Sequence, residues 1–247
     1  MNSILFFDVK VDPFLKSEFL DIIESSINSG KRIVQNGLNA AAICQLVVNK
    51  ELKNAYKQSD LINIDGMSIV WALRLMGHQI PERVACPDLT EDILAMASKN
   101  NYGVFLLGAK DSTLTLCSKN MQDNYPNLRI VGCQNGYFKK HEELAIIEKI
   151  KKTNPDILLL GMPSPNKELF TEKYKHDLGI KYFLGVGGLF EVFAGEKKRA
   201  PIWMQNLGME WFYRFAQEPL RLWKRYLIGN LKFVWLVIKE KKKIRKI

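Results

Sequence analysis

Leu61-Ile62-Asn63-Ile64-Asp65-Gly66-Met67-Ser68-Ile69-Val70 is the stretch that decides the fold. The short apolar run at 61–64 reads as a buried strand, it stops at Asp65-Gly66, and residues 67–76 continue with helical spacing. A strand feeding directly into a helix is the half-unit of a parallel α/β sheet. The same pattern recurs on either side. Upstream, a helix is expected over residues 13–28, then a strand at 32–35, a turn at Asn36-Gly37-Leu38-Asn39 and an Ala-rich helix to about residue 48. Downstream, strands are expected at 103–107, 128–131, 157–160 and 182–185. Helices are expected from Asp88 as N-cap (with Glu91 three residues on), from near Asp111, over 142–152 and over 167–174. The fold class is α/β, with a mostly parallel sheet.

Charge divides the 247 residues in two. Residues 1–195 hold 22 Lys+Arg and 22 Asp+Glu, which cancel, whereas residues 196–247 hold 14 against 4 and carry the whole net charge of +10. The second segment also has four of the five tryptophans, Trp203, Trp211, Trp223 and Trp235. Two units are therefore expected: a catalytic body over 1–195 and a basic, aromatic appendage over 196–247. Cys44, Cys86, Cys117 and Cys133 show no C-x-x-C spacing, and His78, His141 and His176 form no metal-binding pattern. No metal site is expected, and the cysteines are expected to be free thiols in a reducing compartment. Asp8 and Lys10 come too early for a signal peptide, and no run reaches the roughly 18 apolar residues of a spanning helix. A cytoplasmic location is expected.

Gly37, Gly66, Gly108, Gly161 and Gly185 fall at or just after the expected strand ends. That edge of an open α/β sheet is where ligands bind, and the helix N-termini there favour phosphates. Glycine is equally common wherever a strand turns into a helix. The dinucleotide fingerprint fails, because Gly185-Val186-Gly187-Gly188-Leu189-Phe190 has Phe190 at the third glycine position, and no P-loop motif is present. Asp65 sits at this edge, where a carboxylate suits a general base for a hydroxyl nucleophile, a ribose ligand, or an N-cap for the helix at Met67. Asn39 holds the equivalent place one βα unit earlier. Arg83, a lone arginine beside an expected helix start, reads on its own more as a solvated charge than as a ligand group, whereas Lys167 suits phosphate or sugar and equally a surface i,i+4 pair.

In the tail, Arg214, Arg221, Lys224 and Arg225 alternate with Trp211, Phe212, Tyr213, Phe215, Trp223 and Tyr226 at spacings that share a helical side. Basic amphipathic helices with tryptophan lie at membrane interfaces and favour anionic headgroups. Residues 239–247 add six basic side chains and one glutamate. Nucleic acid is the competing partner for such a tail. The apolar run Phe233-Val234-Trp235-Leu236-Val237-Ile238 favours lipid over a phosphodiester backbone.

Taken in order, Asn63-Ile64-Asp65-Gly66-Met67, Glu82-Arg83-Val84, Asp88-Leu89, Leu107-Gly108, Asn135-Gly136-Tyr137-Phe138 and Gly185-Val186-Gly187-Gly188 resemble the WecG/TagA/CpsF glycosyltransferases. The most specific match is Ala194-Gly195-Glu196-Lys197-Lys198-Arg199-Ala200-Pro201, followed by Gly208-Met209-Glu210-Trp211 through to Arg225-Tyr226. The resemblance implies a Rossmann-like body with helices on both faces. It implies inverting, metal-independent transfer of a sugar, N-acetylmannosamine by default, from a UDP-sugar to a polyprenyl-diphosphate-linked acceptor. The pathways implied are cell-surface ones: teichoic acid, enterobacterial common antigen, capsule or exopolysaccharide. No cofactor is implied, since the UDP-sugar is a substrate.

On that resemblance Asp65 becomes the general base, and Asn39 with Arg83 joins the donor pocket. Gly108, Gly136, Tyr137, Lys167, Gly185, Gly187 and Glu191 join the expected substrate-binding set. Arg214 and Arg221, with Lys224 or Arg225, fold over the site and contact the diphosphate. The tail holds the enzyme at the anionic inner face of the cell membrane, and a homo-oligomer is compatible. Three positions depart from the family pattern: Gly37 where Thr is common, Lys167 where Gln is common, and Cys86 where Gly is frequent, a strained choice if that turn has positive φ. Two other readings compete: a nucleic-acid-binding protein using the tail, and a nicotinamide-dependent oxidoreductase, which the missing fingerprint weakens.

Overall fold

The computed structural model describes residues 2–244. The chain opens with a small antiparallel hairpin, β1 (Ile4–Phe6) and β2 (Val9–Val11). Phe7 and Asp8 turn it with φ of 51° and 62°, the mirror-image turn that matches strand twist. Six parallel strands follow: β3 (Ile33–Leu38), β4 (Leu61–Ile64), β5 (Gly103–Gly108), β6 (Arg129–Gln134), β7 (Ile157–Gly161) and β8 (Tyr182–Gly185). Their order across the sheet is β4-β3-β8-β7-β5-β6. β5, β7 and β8 are central and nearly wholly buried, which is why they read as unbroken apolar runs rather than alternating ones.

Helices cover both faces. On one, Phe19, Ile23, Leu89, Ile93, Leu114 and Phe190 pack from helices Lys16–Ser29, Cys86–Asn100, Asp111–Asn124 and Leu189–Phe193. On the other, Ile146, Ile147, Phe170 and Tyr174 pack from helices Glu143–Thr153 and Asn166–Tyr174. The α/β fold expected from the strand-to-helix pattern is the one observed.

Local boundaries differ from expectation where polar residues enter a ladder. Asn36-Gly37-Leu38 is strand rather than turn: Gly37 pairs with Asn63 and Leu38 with Ile64, so β3 runs three residues further. The polarity is absorbed locally, since Asn36 donates to Ser59 Oγ at 2.9 Å and the missing Gly37 side chain leaves room for Asp65. β6 likewise continues through Gly132-Cys133-Gln134. Asp88 is not an N-cap, because its helix already begins at Cys86, and its carboxylate pairs with Arg199 at 2.7 Å. Cys86 is helical and has no positive φ, so the strain anticipated there does not arise. The helix Lys50–Lys57 and the N-terminal hairpin were not anticipated.

The basic segment packs on the body. Its helices Ile202–Asn206, Glu210–Gln217 and Pro219–Trp223 and a wide turn over Lys224–Ile228 lead into the helix Gly229–Ile244. Phe233, Leu236 and Val237 of that last helix are buried with Phe6, Leu38, Ile43 and Ile64 beside the β4 edge. Spacings of three and four put those three on one helical face. Leu231, Val234, Trp235 and Ile238 remain exposed. Arg245 and Lys246 of the basic terminal run lie outside the described residues. No helix among those described is long and apolar enough to cross a membrane.

Candidate active site

Asp65 stands at the carboxyl end of β4, with its backbone N–H donating to Leu38 O at 3.0 Å. Its side chain does not cap the helix at Met67, whose N-cap is Gly66 with no side-chain bond. Instead Oδ1 accepts from the Cys86 N–H at 2.8 Å and Oδ2 from Asn39 Nδ2 at 3.1 Å. Cys86 is the first residue of its helix, so Asp65 faces the positive end of that helix dipole. Asn39 is fixed in turn, because its Oδ1 accepts from Ala42 N–H at 3.1 Å and so caps the helix Ala40–Leu46. The carboxylate is thus aimed by two elements, and two of its roughly four lone-pair sites stay free for a ligand proton.

Two clefts meet at this carboxylate. One, of about 820 Å³, runs along the ends of the central strands past Gly136, Tyr137, Lys167, Gly185, Gly187 and Glu191 to Arg221 and Lys224. The other, of about 520 Å³, runs between the helices Met67–Leu75 and Gly229–Ile244 and is lined mainly by apolar side chains. Asn39, Asp65, Pro87, Arg214, Arg225 and Tyr226 line both. The wide turn Lys224–Ile228 places Arg225 and Tyr226 at this junction, and Trp211 packs on Tyr226 with centroids 5.7 Å apart.

Of the residues expected at the site, all but Gly108 line one or both clefts. Arg83 lines the apolar cleft only. Gly108 is the exception: it lines neither cleft, and with φ of 143° its backbone lies so close to Gly161 that a side chain would not fit. Its role is close approach between β5 and β7. Gly187, with φ of 57°, lets the chain turn at the cleft wall.

Carboxylates hold several of the cations. Glu210 accepts from Arg83 Nη2 at 3.2 Å and from Arg214 Nη2 at 3.1 Å, joining body to tail. Lys197 bridges Glu191 at 2.7 Å and Glu218 at 3.2 Å, and Glu218 also pairs with Arg221. Arg221 holds the Glu218 carboxyl below the usual range, against the opposing effect of partial burial. Lys167 pairs with Glu168, whose side chain is fully buried and whose second oxygen has no hydrogen-bond partner among the described residues. Burial, with Asp65's charge as the second cause, pushes the Cys86 thiol up to about 12, so it is no nucleophile at neutral pH.

Glu210, Glu168, Lys197 and Glu218 received no role from the sequence. For Glu210 a signal existed, its i,i+4 spacing from Arg214. For Glu168 none did, since its burial depends on packing against the rest of the site.

The family model described as "Glycosyl transferase WecG/TagA/CpsF family" matches residues 4–247. The chain belongs to the WecG/TagA/CpsF glycosyltransferase family. It is similar to the N-acetylglucosaminyldiphosphoundecaprenol N-acetyl-beta-D-mannosaminyltransferase of Bacillus subtilis (strain 168), with 30% identity over 234 residues, 93% of this chain and 90% of that one. The resemblance read from the motifs is therefore the true family, and the protein is a hexosyltransferase. The oxidoreductase and nucleic-acid-binding readings give way to it.

Proposed function

We propose that this transferase moves a hexose, N-acetylmannosamine by default, from a UDP-sugar onto a sugar hydroxyl of a polyprenyl-diphosphate-linked acceptor. The single observation carrying this reading is the meeting of a polar and an apolar cleft at Asp65. A bisubstrate enzyme needs that layout, with the donor on one side, the acceptor on the other and the base between them. The acceptor class comes from the relative's name.

Asp65 takes the proton of the acceptor hydroxyl while that oxygen forms a bond to the anomeric carbon. The bond from that carbon to the UDP phosphate oxygen breaks at the same time, and its electron pair leaves with UDP. A single displacement inverts the anomeric centre. The leaving diphosphate gains negative charge in the polar cleft, where Arg214, Arg221, Lys224 and Arg225 supply cations. Those groups do the work that a divalent ion does elsewhere, so the reaction is metal-independent. Asp65's hydrogen-bond partners are the N–H groups of Asn39 and Cys86, a poor donor set for a metal.

The exposed Leu231 and Trp235, with Lys239 and Lys241 to Lys243 along the same helix, suit peripheral association with an anionic membrane surface. The inner face of the cell membrane is the location this implies. The test is to incubate the protein with a panel of UDP-sugars and a diphosphate-linked N-acetylglucosamine acceptor. Transfer from at least one donor is expected, and no transfer from any overturns the reading.

A further inference from the structure

We propose that the apolar cleft between the helices Met67–Leu75 and Gly229–Ile244 seats the first isoprene units of the acceptor's lipid, so that the enzyme grips hydrocarbon as well as sugar. This rests on the reaction proposed above. Met67, Trp71 and Leu75 form one wall, and Val234, Val237 and Ile238 the other. Trp71 is 52% exposed, Leu75 55%, Val234 54% and Ile238 48%. Large apolar side chains gathered around one groove, rather than scattered singly, mark a surface that something covers.

The occupant is fixed by connectivity. The hydroxyl that reacts must reach Asp65, and the same sugar carries the diphosphate from which the lipid starts. A chain beginning one sugar and one diphosphate from Asp65 starts at the junction where Asp65, Pro87 and Tyr226 line both clefts. From that junction the apolar cleft leads away from the polar one, and hydrocarbon follows the apolar path. The wall is rigid enough to serve, because Phe233, Leu236 and Val237 anchor its helix in the core. A bilayer alone would need no such groove, since flat exposed residues suffice for surface binding.

The test uses the full chain in membrane-free buffer, below the critical micelle concentration. The acceptors are N-acetylglucosaminyl diphosphate esters with an ethyl or a farnesyl tail. Each buried methylene contributes up to roughly fourfold in affinity, so a farnesyl tail held along the cleft should lower KM by about 30-fold or more against ethyl. In Val234→Gln/Ile238→Gln, and separately in Leu75→Gln on the opposite wall, that ratio should fall below about fivefold. The positions are half exposed, and circular dichroism reports whether the variants fold.

Equal KM for the two tails in the wild-type chain overturns the proposal while leaving the reaction intact. So does a tail ratio that survives in both folded variants. Failure of both acceptors with every UDP-sugar overturns the reaction and the lipid groove together.

Discussion

Glu210→Ala removes the carboxylate that joins Arg83 to Arg214, and its effect follows from the exposure of each arm. The Arg83 side chain is 14% exposed, Glu210 13% and Arg214 44%. Breaking a fully buried pair by deleting one partner costs about 3–5 kcal/mol. Arg83 retains some access to water, so that arm is worth about 1.5–2.5 kcal/mol, and the half-exposed Arg214 arm adds at most about 0.5. A loss near 2 kcal/mol corresponds to a fall in Tm of about 4–8 °C for a chain of this size. Because Glu210 also holds Arg214 in the cleft that Asp65 lines, kcat/KM should drop as well, by about twofold for the roughly 0.5 kcal/mol of that arm. The assay is a double-mutant cycle with Arg83→Ala, read by thermal unfolding and by transfer rate. A coupling of at least about 1 kcal/mol is expected. Additive single effects, or an unchanged Tm and rate in Glu210→Ala, would refute the idea that this carboxylate docks the tail.

Arg221→Ala removes a cleft cation whose ion pair is with Glu218, so the fold should hold while kcat/KM falls by roughly 10–100-fold; an unchanged rate removes Arg221 from the diphosphate site. Excess EDTA should leave the initial transfer rate within about 20% of control, and a loss restored by added Mg²⁺ or Mn²⁺ contradicts charge neutralisation by arginine alone. Cys86 titrates near 12 in the fold against 9.0 as a free thiol, so the unfolded chain ionises first and stability falls as pH rises from 9 to 12. Cys86→Ala should flatten that fall by up to about 1.4 kcal/mol per pH unit, seen as urea midpoints across that range, and an unchanged slope would mean the thiol is not held neutral.

The strands and their ligand edge were legible because the signals are local. Leu61–Ile64 is apolar, Asp65-Gly66 breaks it, and the next residues repeat with helical spacing, which places Asp65 without reference to the rest of the chain. Asn39 was legible as a residue of the same edge but not as the N-cap that donates to Asp65, since that bond joins residues 26 apart. Asn36-Gly37-Leu38 misled because Asn and Gly favour turns, and here ladder pairing with β4 overrode that preference. The tail misled in a different way. Its apolar run reads as favouring lipid over nucleic acid, yet Phe233, Leu236 and Val237 complete the body's core and only Val234, Trp235 and Ile238 of that run are exposed. Composition cannot separate those two sets, whereas three-and-four spacing does. The apolar cleft arises from two helices more than 150 residues apart in sequence, and no local pattern encodes it.

The central claim is that Asp65 is the base at the meeting of two substrate clefts, and Asp65→Asn tests it most directly. The amide keeps an oxygen to accept from Cys86 but cannot take a proton, while the donor's contacts along the polar cleft are untouched. Measured side by side, UDP affinity by calorimetry should stay within about threefold, and the transfer rate should fall by roughly 10²–10⁴-fold. A variant that transfers sugar at the wild-type rate would contradict the account.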